Sequence, residues 1–162
     1  MEHKKVHGYE LASAGTRLLA QICAMLIFCF IILLGYLILG HSFDEFVSGF
    51  FKDTSFLEDS LSNLVIALIL GVFYKIYAGN LGHKLFNLKV IHSETGVELK
   101  SYGWGALREL LKNLLAYLII PIIWILWDKN KQNLYDKITK TYVVKKGVGN
   151  FEPPLDPPIY KT

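Results

Sequence analysis

The sequence is short of charge, cysteine and proline, and each shortage narrows what the chain can be. Only 19% of its 162 residues are charged, where a soluble domain has about 25%. The 52% that are hydrophobic gather in three blocks, which excludes an ordinary water-soluble enzyme. The connections outside the blocks are too short to bury an independent soluble core. Cys23 and Cys29 both fall in the first block. Their spacing sets them on different faces of a helix, so no disulfide between them is expected. No paired-cysteine metal spacing occurs, and His3 and His7 have no second pair to complete a site. No metal and no cofactor are expected. The nucleophile elbow, the zinc-protease helix and the phosphate-binding glycine loop are all missing, so the chain is not expected to be an enzyme.

What is present is membrane-like. The first block, Leu18–Leu39, has 22 residues and no charge. At about 1.5 Å per residue it reaches roughly 33 Å, enough for a hydrocarbon core of about 30 Å. Ser13 and Thr16 offer helix-capping oxygens just before it. It is too long for a cleavable signal and has no small-residue cleavage site after it. The second block, Leu61–Tyr77, is a minimal span of about 26 Å. Lys75 can snorkel at its end, where Tyr74 and Tyr77 suit an interfacial belt. The third, Leu110–Trp127, carries Lys112 and Asn113 early and Pro121 in its apolar part. Proline there removes a backbone hydrogen bond and clashes with the preceding turn. The block is either a kinked span or a segment that enters and leaves on one side.

Charge selects the second alternative. The connection Gly40–Ser60 carries Lys52 alone among the bases, with five acids. Basic residues in short loops stay cytoplasmic. If all three blocks cross, the loop bases divide almost evenly between the two sides. If the third returns to its starting side, 16 of the 17 lysines and arginines, Lys75 and Lys112 included, lie on the cytoplasmic side. Backbone of that re-entrant kind survives only when protein or water covers it. The expected fold is therefore mainly α and membrane-embedded. It has two transmembrane helices, a third Pro-broken segment at 110–127, and a small cytoplasmic β-hairpin. One domain covers residues 1–146.

The connections fill in the outline. Phe43, Phe46 and Phe50 in the outer loop follow helical spacing, so this loop is either an amphipathic surface helix or a coil anchored by its aromatics. Leu85–His92 and Val97–Ser101, joined by Ser93-Glu94-Thr95-Gly96, read as the β-hairpin. A helix is expected from Ala106, another turn or two over Asn133–Thr139, and a short strand at Thr141–Lys145 that could pair with the hairpin. Residues 147–162 hold four of the five prolines and are expected to be disordered. The pattern Pro157-Pro158-Ile159-Tyr160 in that tail matches WW-domain recognition, but a four-residue match is cheap and plain disorder is the expected reading. The basic segment Lys129–Lys146 lies beside the bilayer, so anionic lipid headgroups rather than nucleic acid are its expected partner.

Arg17, Arg108 and Asp136 stand out. With two crossings all three lie on one side and can meet. Two guanidiniums around one carboxylate would form charge-assisted, bidentate bonds. The cluster is then a structural clasp joining the third segment to the first helix, or a site that binds a charged solute.

These residues also carry a family resemblance. Thr16-Arg17-Leu18-Leu19-Ala20, the run Asn80–Ile91 with Thr95-Gly96, Leu107-Arg108-Glu109-Leu110, and Leu134-Tyr135-Asp136-Lys137 with Thr141–Val144 resemble the RDD family of bacterial membrane proteins. The likeness runs from residue 9 to about 146. The family is named for one arginine and two aspartates; Arg17 matches the arginine and Asp136 the second aspartate. Where the first aspartate belongs, midway along the first helix, this chain has Ala24. The resemblance implies an integral protein of the bacterial inner membrane that transports an unidentified solute or ion, and the charge count adds that both termini are cytoplasmic. So small a chain would have to transport as a homo-oligomer. Losing the intramembrane carboxylate favours the alternative, a non-transporting accessory or scaffold protein.

Overall fold

The computed structural model describes residues 5–52, 55–116 and 124–147. A two-residue hairpin opens it, β1 (Lys5–Val6) against β2 (Tyr9–Glu10). The long helix α1 covers Ala14–Ile38. Of the two candidate caps, Ser13 takes the role, its Oγ accepting the Thr16 N–H at 3.1 Å. In the outer connection the helical alternative holds: α2 runs Phe43–Phe50, started by a capping box between Ser42 and Glu45. Phe46 meets Tyr36 edge to face, with centroids 5.8 Å apart, and fixes α2 at the end of α1.

Helix α3, Phe56–Tyr77, begins more than a turn before the apolar block, because Ser55 and Glu58 form a second capping box. It stops at Ala78, whose φ of 54° is left-handed. Asn80 then caps the short α4, Leu81–Leu85. Strand β3 is Leu88–His92, α5 is Tyr102–Ala116, a single 3-10 turn covers Trp124–Leu126, α6 is Leu134–Ile138 and β4 is Thr141–Lys145.

Three sequence expectations need correction. The strand expected at Leu85–His92 starts only at Leu88, since Leu85 ends α4 and Asn87 has a φ of 53°. The second hairpin arm is shorter than expected, one bridge of Ile91 with Glu98 flanked by bonds from Leu99 N–H to the Val90 carbonyl and from His92 N–H to the Val97 carbonyl; β4 pairs with β3 as expected, antiparallel from Leu88 opposite Lys145 to His92 opposite Thr141. The helix expected from Ala106 begins one turn earlier, at Tyr102. Pro121 and the expected break at it fall within residues 117–123, outside the described residues, as do residues 148–162 of the tail.

The architecture is mainly helical with small antiparallel strand pairs, and two of its helices are long and apolar enough to cross a membrane. Its packed core gathers at one end. Tyr74, Leu88, Val90, Leu99 and Val143 are buried there with Ala12 and Ala20. Beyond that end α1 buries nothing: Arg17 and Ala20 are its only buried residues, and large side chains such as Leu26, Phe30 and Ile38 stand exposed. α1 joins the core through α4, and α3 joins it through α5. Small residues permit both contacts. A β-carbon on Gly82 of α4 would overlap the Ala20 carbonyl, and one on Gly105 of α5 would overlap the Tyr74 ring.

Candidate functional site

The three charged residues singled out in the sequence meet in the structure. Asp136 is fully buried on α6. Its Oδ2 pairs with Arg17 Nη2 and accepts the Asn133 N–H at 3.0 Å. Its Oδ1 accepts Arg108 Nη2 at 2.5 Å. Arg17 also donates to the Lys131 carbonyl, so the first turn of α1 is tied to the chain just before α6. Burial acts to raise the Asp136 pKa, but the charges of Arg17 and Arg108 outweigh it and hold the carboxylate below its ordinary value.

The network extends beyond what the sequence reading found. Arg108 Nη1 donates to the Tyr74 hydroxyl at 2.5 Å, and that hydroxyl donates to Glu109 Oε1 at 2.7 Å. Tyr74 is therefore not an interfacial belt residue; it is wholly buried and relays between two charges. Glu109, also fully buried, pairs with Lys112, and Asn80 Nδ2 lies 3.4 Å from its Oε1. Burial works to raise the Glu109 pKa, yet Lys112 and Arg108 bring it down to about 2. The Arg108 guanidinium also faces the Tyr135 ring at 4.9 Å. Lys112 reaches α1 as well, donating to Gln21 Oε1 at 3.2 Å. Glu109 stood beside Arg108 in the quoted motif, which was a usable signal. Gln21 also carried a signal as the one strongly polar side chain of the first block; Tyr74 gave none, because a tyrosine near a helix end suits an interface equally well.

Two hollows adjoin this network. A cavity of about 160 Å³ lies against Arg17, Arg108, Lys112, Asn133 and Tyr135. A larger groove of about 520 Å³ lies between α1 and α3, with Met25, Phe28, Ile66 and Phe73 on its walls. Gln21, Lys112 and Asn113 line both. Ala24, where the family resemblance expects a carboxylate, faces the groove. No cluster of metal-ligating side chains occurs among the described residues. Cys23 and Cys29 are not bonded to each other. The basic face expected to meet lipid is partly neutralised: Lys137 pairs with Asp128, Lys140 with Glu94 and Lys145 with Glu10.

Comparison with known proteins agrees with the geometry. No curated protein and no solved structure matches the chain. A family model described as the RDD family matches residues 11–140. That match covers most of the sequence and includes Arg17, Arg108 and Asp136, so this chain belongs to the RDD family.

Proposed function

We propose that the chain is an integral protein of the bacterial inner membrane that crosses the bilayer twice and binds a ligand between α1 and α3, in the course of moving it across or along the membrane. The observation that carries this reading is the groove. Gln21, Asn63, Lys112 and Asn113 bring polar groups into a hollow walled by apolar helices, a combination typical of ligand sites. The exposed apolar surface of α1 and α3 calls for lipid around it.

The pairings at the packed end support two crossings. Ala12 donates to the Val143 carbonyl at 3.0 Å, and Leu11 bridges Val144. The entry to α1 and strand β4 therefore share one side, and β3, between α3 and α5, is paired to the same strand. With α1 leading away and α3 returning, α5, α6 and β4 all lie on the side where α1 begins. Lysine and arginine counting makes that side cytoplasmic.

A second reading, a non-transporting scaffold, draws on a different observation. Both oxygens of Asp136 are engaged and Ala24 carries no charge, so no spare carboxylate faces the groove.

Ion and solute flux in proteoliposomes tests the first reading against the second. Flux abolished by Arg17→Ala in protein that stays folded supports transport; no flux of sodium, potassium, chloride or phosphate supports the scaffold. Labelling of Lys146→Cys, in a chain with both native cysteines replaced by alanine, tests topology. A membrane-impermeant maleimide should react only from the cytoplasmic side, and reaction from outside defeats the two-crossing reading.

A further inference from the structure

The small cavity holds unmet hydrogen-bonding capacity. Arg17 and Arg108 are 94% or more buried, and in each the Nε has no hydrogen-bond partner. Asn133, 92% buried, has an Oδ1 without a hydrogen-bond partner. Buried polar groups of this kind ordinarily find partners, and each one left over calls for a cause. All three residues line the cavity. Two donors on guanidiniums and one amide acceptor suit an oxyanion that also carries a hydroxyl group.

Charge agrees. Arg17, Arg108 and Lys112 surround the cavity, while Asp136 and Glu109 are the carboxylates paired to them. Three cations against two anions leave one positive charge in excess. The cavity does not end there. It shares Gln21, Lys112 and Asn113 with the adjoining groove, whose far part reaches Ile31 on α1. From Gln21 to Ile31 the helix rises about 15 Å. The groove walls Met25, Ile31 and Ile69 are more than half exposed, so the groove is open sideways to whatever surrounds the helices.

A polar, positively charged head compartment thus continues into an apolar slot. We propose that the two hollows form a single site for one anionic phospholipid, with its phosphate beside Arg17 and Arg108 and an acyl chain between α1 and α3. The free Asn133 Oδ1 suits a hydroxylated headgroup such as glycerol. Arg17 sits in the first turn of the helix, at headgroup depth in the two-crossing topology, so the lipid enters without leaving its own leaflet. This inference rests on the membrane reading above and names the ligand of that groove.

Native mass spectrometry of the full-length, delipidated protein in dodecyl maltoside tests it. Dioleoylphosphatidylglycerol, dioleoylphosphatidylcholine and inorganic phosphate are the probes. The expected result is one phosphatidylglycerol retained about fivefold more strongly than phosphatidylcholine, in keeping with a single excess charge at a membrane surface. Millimolar phosphate should not displace it, because phosphate leaves the groove empty. Lys112→Gln should erase the preference for the anionic lipid. Ile66→Trp, which fills the groove away from the ion network, should abolish retention while circular dichroism and thermal unfolding stay as in the parent. Equal retention of the two lipids, displacement by phosphate, or retention that survives Ile66→Trp would each overturn the proposal. The flux assay is run separately in pure phosphatidylcholine vesicles. Flux without lipid selectivity removes this inference and leaves the transport reading standing; selectivity without flux does the reverse.

Discussion

Gly82 lies so close to Ala20 that position 82 has no room for a side chain; a β-carbon there would overlap the Ala20 carbonyl oxygen and come within 3.0 Å of the Ala24 β-carbon. This contact is how α1 is fastened to the rest of the molecule, because α4 is its chief neighbour. Small residues that let backbones approach are the usual means of joining helices in lipid. Gly82→Ala should push α4 away and destabilise the protein by roughly 1–3 kcal/mol, the usual range for overpacking. Thermal unfolding in detergent measures it, and a variant as stable as the parent would mean that α4 is not held against α1.

Removing the charge at the centre of the network should cost more. Asp136→Asn keeps the shape of the side chain but leaves Arg17 and Arg108 buried without their counter-ion. Breaking a buried pair in this way costs about 3–5 kcal/mol. Loss of folded protein, read by size exclusion in detergent, is the expected outcome, and Asp136→Glu should fare better than the amide.

Acid should act on the same network. The Glu109 pKa lies at about 2, below its ordinary 4.5, and that of Asp136 is lowered as well. Groups depressed on folding stabilise the native state fully above their unfolded pKa and lose that contribution as pH falls toward the folded one. Thermal stability should therefore be level from neutral pH down to about 5 and then drop steadily toward about 2. Glu109→Gln should flatten part of this drop, whatever it does to stability at neutral pH.

Ala24→Asp restores the family's first aspartate in the wall of the groove that Lys112 also lines. Position 24 is one helical turn beyond Gln21, which already accepts from Lys112 at 3.2 Å. The new carboxylate should draw the ammonium into the groove and weaken retention of anionic lipid. If the family aspartate serves cation movement, sodium or potassium flux in proteoliposomes should rise above that of the parent. Unchanged flux would assign the missing charge no part in ion movement.

Much of this was legible in the sequence. Hydrophobic runs announced α1 and α3, and the alternation in Thr141–Lys145 announced β4 with its bounds. The ion cluster was legible because a two-crossing reading of the charges expects Arg17, Arg108 and Asp136 on one side, and the three do meet. Other features were not legible, for physical reasons. Leu85–Asn87 looks like a strand, but Asn80 can cap a helix, and the packing of Gly82 on Ala20 settles the competition. The Val97–Ser101 arm keeps only a short pairing to one edge of β3, while β4 fills the other edge through contacts between residues far apart in the chain. Tyr74 reads as an interfacial tyrosine because its relay role exists only once α5 lies across it.

The pairing of Arg17 with Asp136 has a consequence for synthesis. The chain emerges from its N-terminus, so α1 and its arginine are made long before the aspartate that neutralises them. Arg108 waits too, though for less time. Until α6 leaves the ribosome, two guanidiniums stand without their carboxylate, and β3 lacks the strand that pairs with it. A chain that ends early, even with every apolar helix in place, is thus left with a charge defect and a bare strand edge, both of which quality-control proteases can recognise.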